Sequence, residues 1–392
     1  MPGADGSILI TSILITGARA PVALHLARLL HGAGHRMILA DTPSRPIAAA
    51  SKACARYHRL PPPRFEPQAY ADAVEALIRA EGISLVIPTC EEVFHLALVW
   101  HGRTMPALLF APDIGLLAKV HNKHSFIRLA EQIGLAVPET ALLNSPDDLE
   151  AVRGRSRELV FKPVWSRFAS HVLLRPTPQA LDAVAPSPAM PWVAQRFIEG
   201  EEISAYAVAR GGRLKALALY RPLYRAGKGA GIFFERVEDD AARELVERVV
   251  AGTTWTGQIS FDLMREPGGR VLPLECNPRA VSGLHFFRDP AHFVDAVLDD
   301  GPEVAPDVSA PQTVRLAMWI YGLPAALRLG GLARFRKAMR ESEELLDWPG
   351  DSAPVKAQWP ALAEIARVAL RQRISLQSAS TRDIEWNGPG SG

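Results

Sequence analysis

The sequence predicts a chain of α/β and α+β class, with a Rossmann-like N-terminal domain, a core built around a β-hairpin, and a C-terminal extension. Three observations carry this. The first 110 residues alternate strand-like and helix-like segments, which implies a parallel sheet. Beyond about residue 113 the pattern changes, and two stretches of period-two alternation, 259–264 and 271–279, close that part. At residue 301 a Pro-rich stretch, Gly-Pro-Glu-Val-Ala-Pro-Asp, marks a linker. The 392 residues are enough for several domains with sizeable cores.

In the N-terminal part, Ile8–Ile15 is a β-rich run ending in Thr16-Gly17, and Leu24 to Leu30 is an amphipathic helix closed by Gly32 and Gly34. Met37–Ala40 is a second strand ending at Asp41, Tyr70–Ala80 a further helix, and Ser84–Ile87 another buried strand. An acidic residue about 20 positions after the first turn invites a dinucleotide site, and with it an NAD(P)-dependent oxidoreductase. The glycines oppose this. In G-x-G-x-x-G the first position is Gly17, but the second and third are Arg19 and Val22. The second glycine lets a pyrophosphate approach the backbone, and an arginine side chain obstructs that approach. The expectation is a Rossmann-like scaffold without a dinucleotide. Past the strand at 84–87, Cys90 reads as a small buried hydrophobe, whereas Glu91 and Glu92 have a better claim on a polar ligand.

Asn122-Lys123 opens a helix, Ser125 to Ile133, that stops at Gly134. Leu159 to Val164 is a strand with Lys162 near its end, and a lysine there needs an anionic partner or a path to water. Trp192 to Ser204 reads as one strand, a turn at Gly200 and a second strand from Ile203. Leu214–Tyr220 leads into a glycine-rich loop centred on Lys228, whose amides and ammonium suit phosphates. His285 and Arg288 follow the hairpin, where they either reach a substrate carboxylate or pack as a loop histidine and a surface arginine. In the C-terminal part, Thr313–Ile320 reads as a strand, 324–346 and 358–372 as helices, and the polar tail from Ser380 as an edge strand or interaction segment.

The hairpin carries the most chemistry. A two-residue turn on Gly268-Gly269 pairs Phe261 with Cys276 and Leu263 with Leu274 on the buried face. On the other face Asp262 meets Glu275 and Ser260 meets Asn277. Opposed Cβ atoms lie about 4.5–5.5 Å apart. At an effective dielectric of about 20, two such carboxylates repel by roughly 3 kcal/mol. A cation between them relieves this. With Asn277 and Arg279 on the same face, hard oxygen ligands beside a guanidinium suit Mg²⁺ bound together with phosphate. A hairpin with a solvated polar face fits the same alternation.

Taken in order, several elements resemble the ATP-grasp superfamily over roughly residues 8–300. They are Asn122-Lys123, Phe161-Lys162-Pro163, Gln195-Arg196-Phe197-Ile198 with Gly200-Glu201-Glu202, Phe261-Asp262, and Glu275-Cys276-Asn277-Pro278-Arg279. The E-x-N-P-R strand is the most specific. Thr16-Gly17-Ala-Arg-Ala-Pro resembles the carbamoyl-phosphate-synthase-like subgroup, of carboxylate–amine ligase type. The resemblance implies a Rossmann-like pre-ATP-grasp domain (1–112) and a two-lobed ATP-grasp core. The core comprises a small lobe (113–190) and a catalytic lobe (191–300), leaving an extension (301–392) outside it.

By the same resemblance ATP lies between the lobes. Lys123 and Lys162 contact its phosphates, and Gln195, Arg196, Phe197 and Ile198 form the adenine linker. Glu202 holds the ribose hydroxyls. Asp262, Glu275 and Asn277 ligate Mg²⁺, with Mn²⁺ as a substitute, and Arg279 faces the transferred phosphoryl group, with Lys228 as a second catalytic cation. The implied activity is an ADP-forming ligase that activates a carboxylate as an acyl phosphate and joins it to an amine or similar nucleophile. One departure stands out. The segment after Lys162 contains no glycine where many relatives carry a glycine-rich loop, leaving Ser166, Arg167 and Ser170 as donors. A nucleotide-binding sensor or scaffold without catalysis is therefore the alternative.

A formal net charge of +2 gives no electrostatic case for nucleic acid or membrane partners. The basic run Arg334-Phe335-Arg336-Lys337 is balanced by Glu341, Glu343 and Glu344. Three cysteines without metal or redox spacing suggest a reducing compartment. The N-terminus lacks a signal-peptide basic region, and its apolar run is too short to span a bilayer. A cytoplasmic protein with small-molecule carboxylate and nucleophile substrates is expected, with homo-oligomers allowed.

Overall fold

Ile13, Leu14 and Ile15 are apolar on both sides of the pleat, so their strand has to be covered on both faces. The computed structural model, which describes residues 12–165, 171–226, 231–298, 301–328 and 331–389, shows this arrangement. Strands β1 (Ser12–Thr16), β2 (Arg36–Asp41), β3 (Arg56–Arg59), β4 (Leu85–Ile87) and β5 (Leu108–Leu109) form a parallel sheet in the order β3-β2-β1-β4-β5. Ile13 and Ile15 share a core with Leu24 and Ala27 of the helix Pro21–Gly32. Leu14 packs instead with Tyr70 and Val74 of the helix Pro67–Glu81 and Leu96 of the helix Glu92–Gly102. The strand order reverses between β1 and β4. The carboxyl edge there is where ligands of open α/β sheets bind.

Two helices, Ile114–His121 and Lys123–Gln132, lead out of this domain. Asn122 caps the second, its side chain accepting from the amides of His124 and Ser125. An antiparallel sheet follows in the order β6-β9-β7-β8, with β6 at Thr140–Leu143, β7 at Leu159–Pro163, β8 at Leu173–Leu174 and β9 at Trp192–Arg196. The largest sheet contains β10 (Glu201–Arg210), β11 (Arg213–Arg225), β12 (Gly231–Val237), β13 (Gly257–Arg265) and β14 (Val271–Asn277). Two short strands, β15 (Gln312–Thr313) and β16 (Glu343–Glu344), complete it in the order β14-β13-β10-β11-β12-β15-β16. One of its faces, with Ile203, Ala205 and Phe261, packs on Phe126 and on Val246 and Val249 of the helix Asp240–Gly252. The other, at Tyr206, Val208 and Ala218, joins the core around the helix Pro21–Gly32. The N-terminal sheet and the large sheet thus share one hydrophobic core.

The C-terminal part departs from expectation in two places. Only Gln312–Thr313 is extended, and from Arg315 the chain coils into Arg315–Ala317, a π-turn at Met318–Gly322 and the helix Leu323–Arg328. Met318, Gly322 and Ala326 are buried at a spacing of four, so helical periodicity outweighs the β-rich composition of Trp319-Ile320-Tyr321. The expected helix over 324–346 is likewise divided, because Glu343–Glu344 leaves the helix Leu332–Glu341 to pair with β15. The helix Ala353–Gln372 covers the second expected helix. Among the described residues the tail forms no edge strand. After the turn Leu376–Ala379 it runs across the N-terminal domain and buries Ile384 and Trp386. Among the described residues no helix is long and apolar enough to cross a membrane.

Candidate active site

The hairpin of β13 and β14 adopts the expected register at its functional end: Asp262 faces Glu275, Ser260 faces Asn277 and Phe261 faces Cys276. Closer to the turn the ladder slips by one residue, and Leu263 pairs with Pro273 rather than Leu274. Two causes act together. The loop has three residues instead of two, closed by the Glu266 amide on the Arg270 carbonyl at 2.9 Å, with Gly269 at φ +84°. Pro273 also lacks an N–H for the ladder, which confines it to an edge strand or a bulge. The bulge sets Leu274 apart, and its carbonyl accepts from Lys162 Nζ at 3.2 Å.

Three segments converge on Glu275. Lys123, buried in the first turn of its helix, lies 3.5 Å from Glu275 Oε2. Lys162, buried on β7, also donates to Gln195 Oε1 at 3.0 Å. Burial pushes the Lys162 amine down to about 8, against the pull of Glu275. Asp262 accepts from Ser204 Oγ on β10 at 3.2 Å and from the Asn277 amide at 3.4 Å. Burial, and then the charges of Glu275 and Glu202, push Asp262 up to about 7. Burial acts the same way on Glu275, but Lys123 and Lys162 outweigh it and hold that carboxyl low. Two carboxylates that face each other repel, and a shared proton or a cation between them relieves this. Among the described residues no group of three His, Cys, Asp or Glu gathers; an ion at this face would have the Asp262 and Glu275 carboxylates, the Asn277 side-chain amide oxygen and ligand oxygens to hold it. That donor set fits Mg²⁺, which is usually bound by one or two carboxylates plus substrate phosphates.

The linker residues divide their roles. The Gln195 side chain is buried and joins Lys162 to Thr140 Oγ1 at 3.1 Å, so it positions the lysine rather than facing a base. The Arg196 and Phe197 amides are spent on the carbonyls of Glu139 and Glu158, both at 2.8 Å. For residue 196 this leaves the carbonyl as the group to offer a ligand. Arg196 Nη2 reaches Glu266 Oε1 at 3.1 Å and ties the linker to the hairpin turn. Gly200 lets this turn close, since a Cβ there would lie 2.0 Å from the Arg265 carbonyl oxygen. Ile198 is buried beside it. Glu202 is ion-paired with Arg225, a partner the sequence did not suggest. The Arg279 amide bonds the Asn277 carbonyl at 2.8 Å, and its guanidinium pairs with no carboxylate among the described residues. Lys228 and the glycine-free segment 166–170 lie outside the described residues.

The other sequence candidates fall elsewhere. His285 is buried edge-on against His25 with ring centroids 4.7 Å apart, and burial pushes it well below the usual histidine range. It is a packed neutral histidine and does not reach the hairpin face. Arg288 pairs with Glu343 at 3.2 Å and lies over the Trp348 ring. Glu92 Oε1 accepts from Thr16 Oγ1 at 2.7 Å and from the Thr89 amide at 3.0 Å. The two residues that pull the dinucleotide reading in opposite directions join each other, because Asp41 accepts from the Arg19 amide and guanidinium. Ser204 and the Leu274 carbonyl also escaped the sequence reading, although Pro273 was a signal for the bulge.

Residues 120–283 match the family model described as ATP-grasp domain. No curated protein sequence matches this chain. Among solved structures, N5-carboxyaminoimidazole synthetase from Staphylococcus aureus is similar, with a TM-score of 0.60 and 10% identity over 77% of this chain and 80% of that one. Phosphoribosylamine–glycine ligase from Thermotoga maritima gives a TM-score of 0.60 and 17% identity over 77% and 78%. The biotin carboxylase domain of Hydrogenobacter thermophilus 2-oxoglutarate carboxylase, in complex with MgADP and bicarbonate, gives 0.59 and 11% over 76% and 71%. At these identities the likeness is one of fold.

Proposed function

We propose that this protein is an ATP- and Mg²⁺-dependent ligase that activates a carboxylate as an acyl phosphate and joins it to an amine or similar nucleophile. The observation that carries the reading is the convergence on Glu275: Asp262 faces it across the hairpin and Lys123 lies 3.5 Å away. Lys162 reaches the adjacent carbonyl of Leu274. The similar structures named synthetase, ligase and biotin carboxylase, one of them holding MgADP, support it at the level of class.

Asp262, Glu275 and the side-chain amide oxygen of Asn277 would hold Mg²⁺, which would supply neutralisation of charge on phosphoryl oxygens. Lys123 and Lys162, immobilised by burial, orient the terminal phosphates. Arg279 stabilises the charge that develops as the phosphoryl group moves to the carboxylate oxygen. The Arg196 carbonyl meets the adenine edge, and Glu202 exchanges Arg225 for the ribose hydroxyls. The amine then attacks the acyl carbon and phosphate leaves, so no Ser or Cys nucleophile is involved. The test is a screen for ADP and phosphate release with ATP, Mg²⁺ and pooled carboxylates and amines. Turnover with any pair, lost in Glu275→Ala, supports the ligase. ATP binding without turnover across a broad screen selects a sensor, and tight NADPH binding in place of ATP overturns both.

A further inference from the structure

Arg19 follows β1 at the carboxyl edge of the N-terminal sheet and grips two carboxylates at once. Asp41, at the end of β2, accepts from Arg19 Nη2 at 2.6 Å, from Nε at 3.0 Å and from the backbone amide at 2.8 Å. Asp383, from the C-terminal tail, meets the open end of the fork, with Nη1 to Oδ1 and Nη2 to Oδ2 both at 2.6 Å. Nη1 also donates to the Ser380 carbonyl at 2.8 Å. Asp41 alone balances the guanidinium, so Asp383 brings a surplus negative charge. Its end-on bidentate approach is the geometry by which arginine receives a ligand carboxylate.

Beside this pair lies a small cavity lined by Thr16, Gly17, Asp41, Tyr70, Glu92 and Ile384. Two polar atoms in its wall, the Tyr70 hydroxyl and Glu92 Oε2, have no hydrogen-bond partner among the described residues, although each residue is only 3% exposed. Ile384 of the tail forms part of the cavity wall. Arg64 secures the neighbouring residues through the Asp383 carbonyl at 3.0 Å and the Glu385 side chain. Trp386 stacks on Phe94 with ring centroids 4.5 Å apart.

We propose that this edge is a binding site for a small molecule bearing a carboxylate, anchored by Arg19, and that residues 380–386 are its intramolecular occupant. Asp383 stands in for the ligand carboxylate, and Tyr70 and Glu92 meet the ligand's polar groups in the cavity. Ligand and tail exclude one another, so apparent affinity is the intrinsic affinity scaled by the fraction of chains with the tail released. The inference goes beyond the ligase reading, because it requires no nucleotide.

The test uses the full chain without nucleotide, with succinate and L-aspartate as probes, followed by calorimetry and by hydrogen exchange of 380–389. Either probe is expected to speed exchange across 380–386 with increasing dose. Asp383→Asn should speed exchange without a probe and tighten probe binding by roughly tenfold, and Arg19→Gln should abolish binding. Glu385→Gln loosens the tail without touching Arg19 and should tighten binding in the same direction. Unchanged tail exchange with both probes would overturn the proposal. So would Arg19→Gln binding as well as the unaltered chain, or tightening in Asp383→Asn without any in Glu385→Gln.

Discussion

Replacing Asp262 with asparagine removes one of two facing charges while keeping the shape of the side chain and its neighbours Ser204 and Asn277. Burial and the charges of Glu275 and Glu202 push Asp262 up to about 7 in the folded chain, against an ordinary aspartate value of about 3.9 in the unfolded one. A raised value means that its contribution to stability is complete below about pH 4 and is lost as the pH climbs through about 7. Two magnitudes agree on the size. Charges about 5 Å apart at an effective dielectric of about 20 repel by roughly 3 kcal/mol. A shift of about three pKa units corresponds to about 4 kcal/mol. Weakening the two hydrogen bonds from Ser204 and Asn277 takes back about 1 kcal/mol. The metal-free variant should therefore be about 2 kcal/mol more stable than the unaltered protein at pH 8 and no more stable at pH 5. Mg²⁺ inverts the comparison, stabilising the unaltered protein at pH 8 and leaving the variant unchanged. Urea unfolding of EDTA-treated protein at both pH values, with and without MgCl₂, reads all four numbers. Parallel pH profiles for the two proteins, or an equal gain from Mg²⁺, would refute the facing-carboxylate reasoning.

Three further outcomes follow from single contacts. Lys162→Met leaves Gln195 Oε1 and the Leu274 carbonyl without their donor, so stability should fall by about 1–3 kcal/mol. Fluorescence titration should show ATP affinity down by at least about tenfold, as expected when a fixed charge to phosphate is lost. Gly200→Ala forces a Cβ to within 2.0 Å of the Arg265 carbonyl, and denaturant unfolding should show a loss of about 1–3 kcal/mol. Asp351→Ala strands Arg28, whose side chain is 2% exposed, and should cost about 3–5 kcal/mol. Burial opposes ionisation of Asp351, but bonds from Ser51, Lys52 and Arg28 hold its carboxyl below the usual range. That stability is present above about pH 4 and fades as the pH falls through the lowered value, which acid unfolding with and without the substitution measures.

The parts of this molecule that local pattern determines were readable, and those that long-range contacts determine were not. Alternation alone placed Phe261 and Cys276 on the buried face and brought Asp262 against Glu275, because a one-residue slip would reverse every side chain. The slip beyond Leu263 arises from a loop one residue longer and from Pro273, whose missing N–H was visible in the sequence. Trp319-Ile320-Tyr321 has the composition of a strand, yet packing of Met318 and Ala326 against Phe335 selects a helix. Gln195 belongs to the expected linker, but only the fold reveals that its amide serves Lys162. The bond from Arg19 to Asp383 spans 364 positions and leaves no local trace. Trp386 likewise finds Phe94 only after the sheets have assembled.

The central claim, that a carboxylate is activated on the hairpin face, is tested most directly with a turning-over carboxylate labelled with heavy oxygen in the carboxyl group. If the carboxylate oxygen attacks the γ-phosphorus and later departs with the phosphate, one labelled oxygen appears in each phosphate released. Both label transfer and ADP formation should vanish in Glu275→Ala. Unlabelled phosphate from the unaltered enzyme, or labelled phosphate at full rate from Glu275→Ala, would contradict the account.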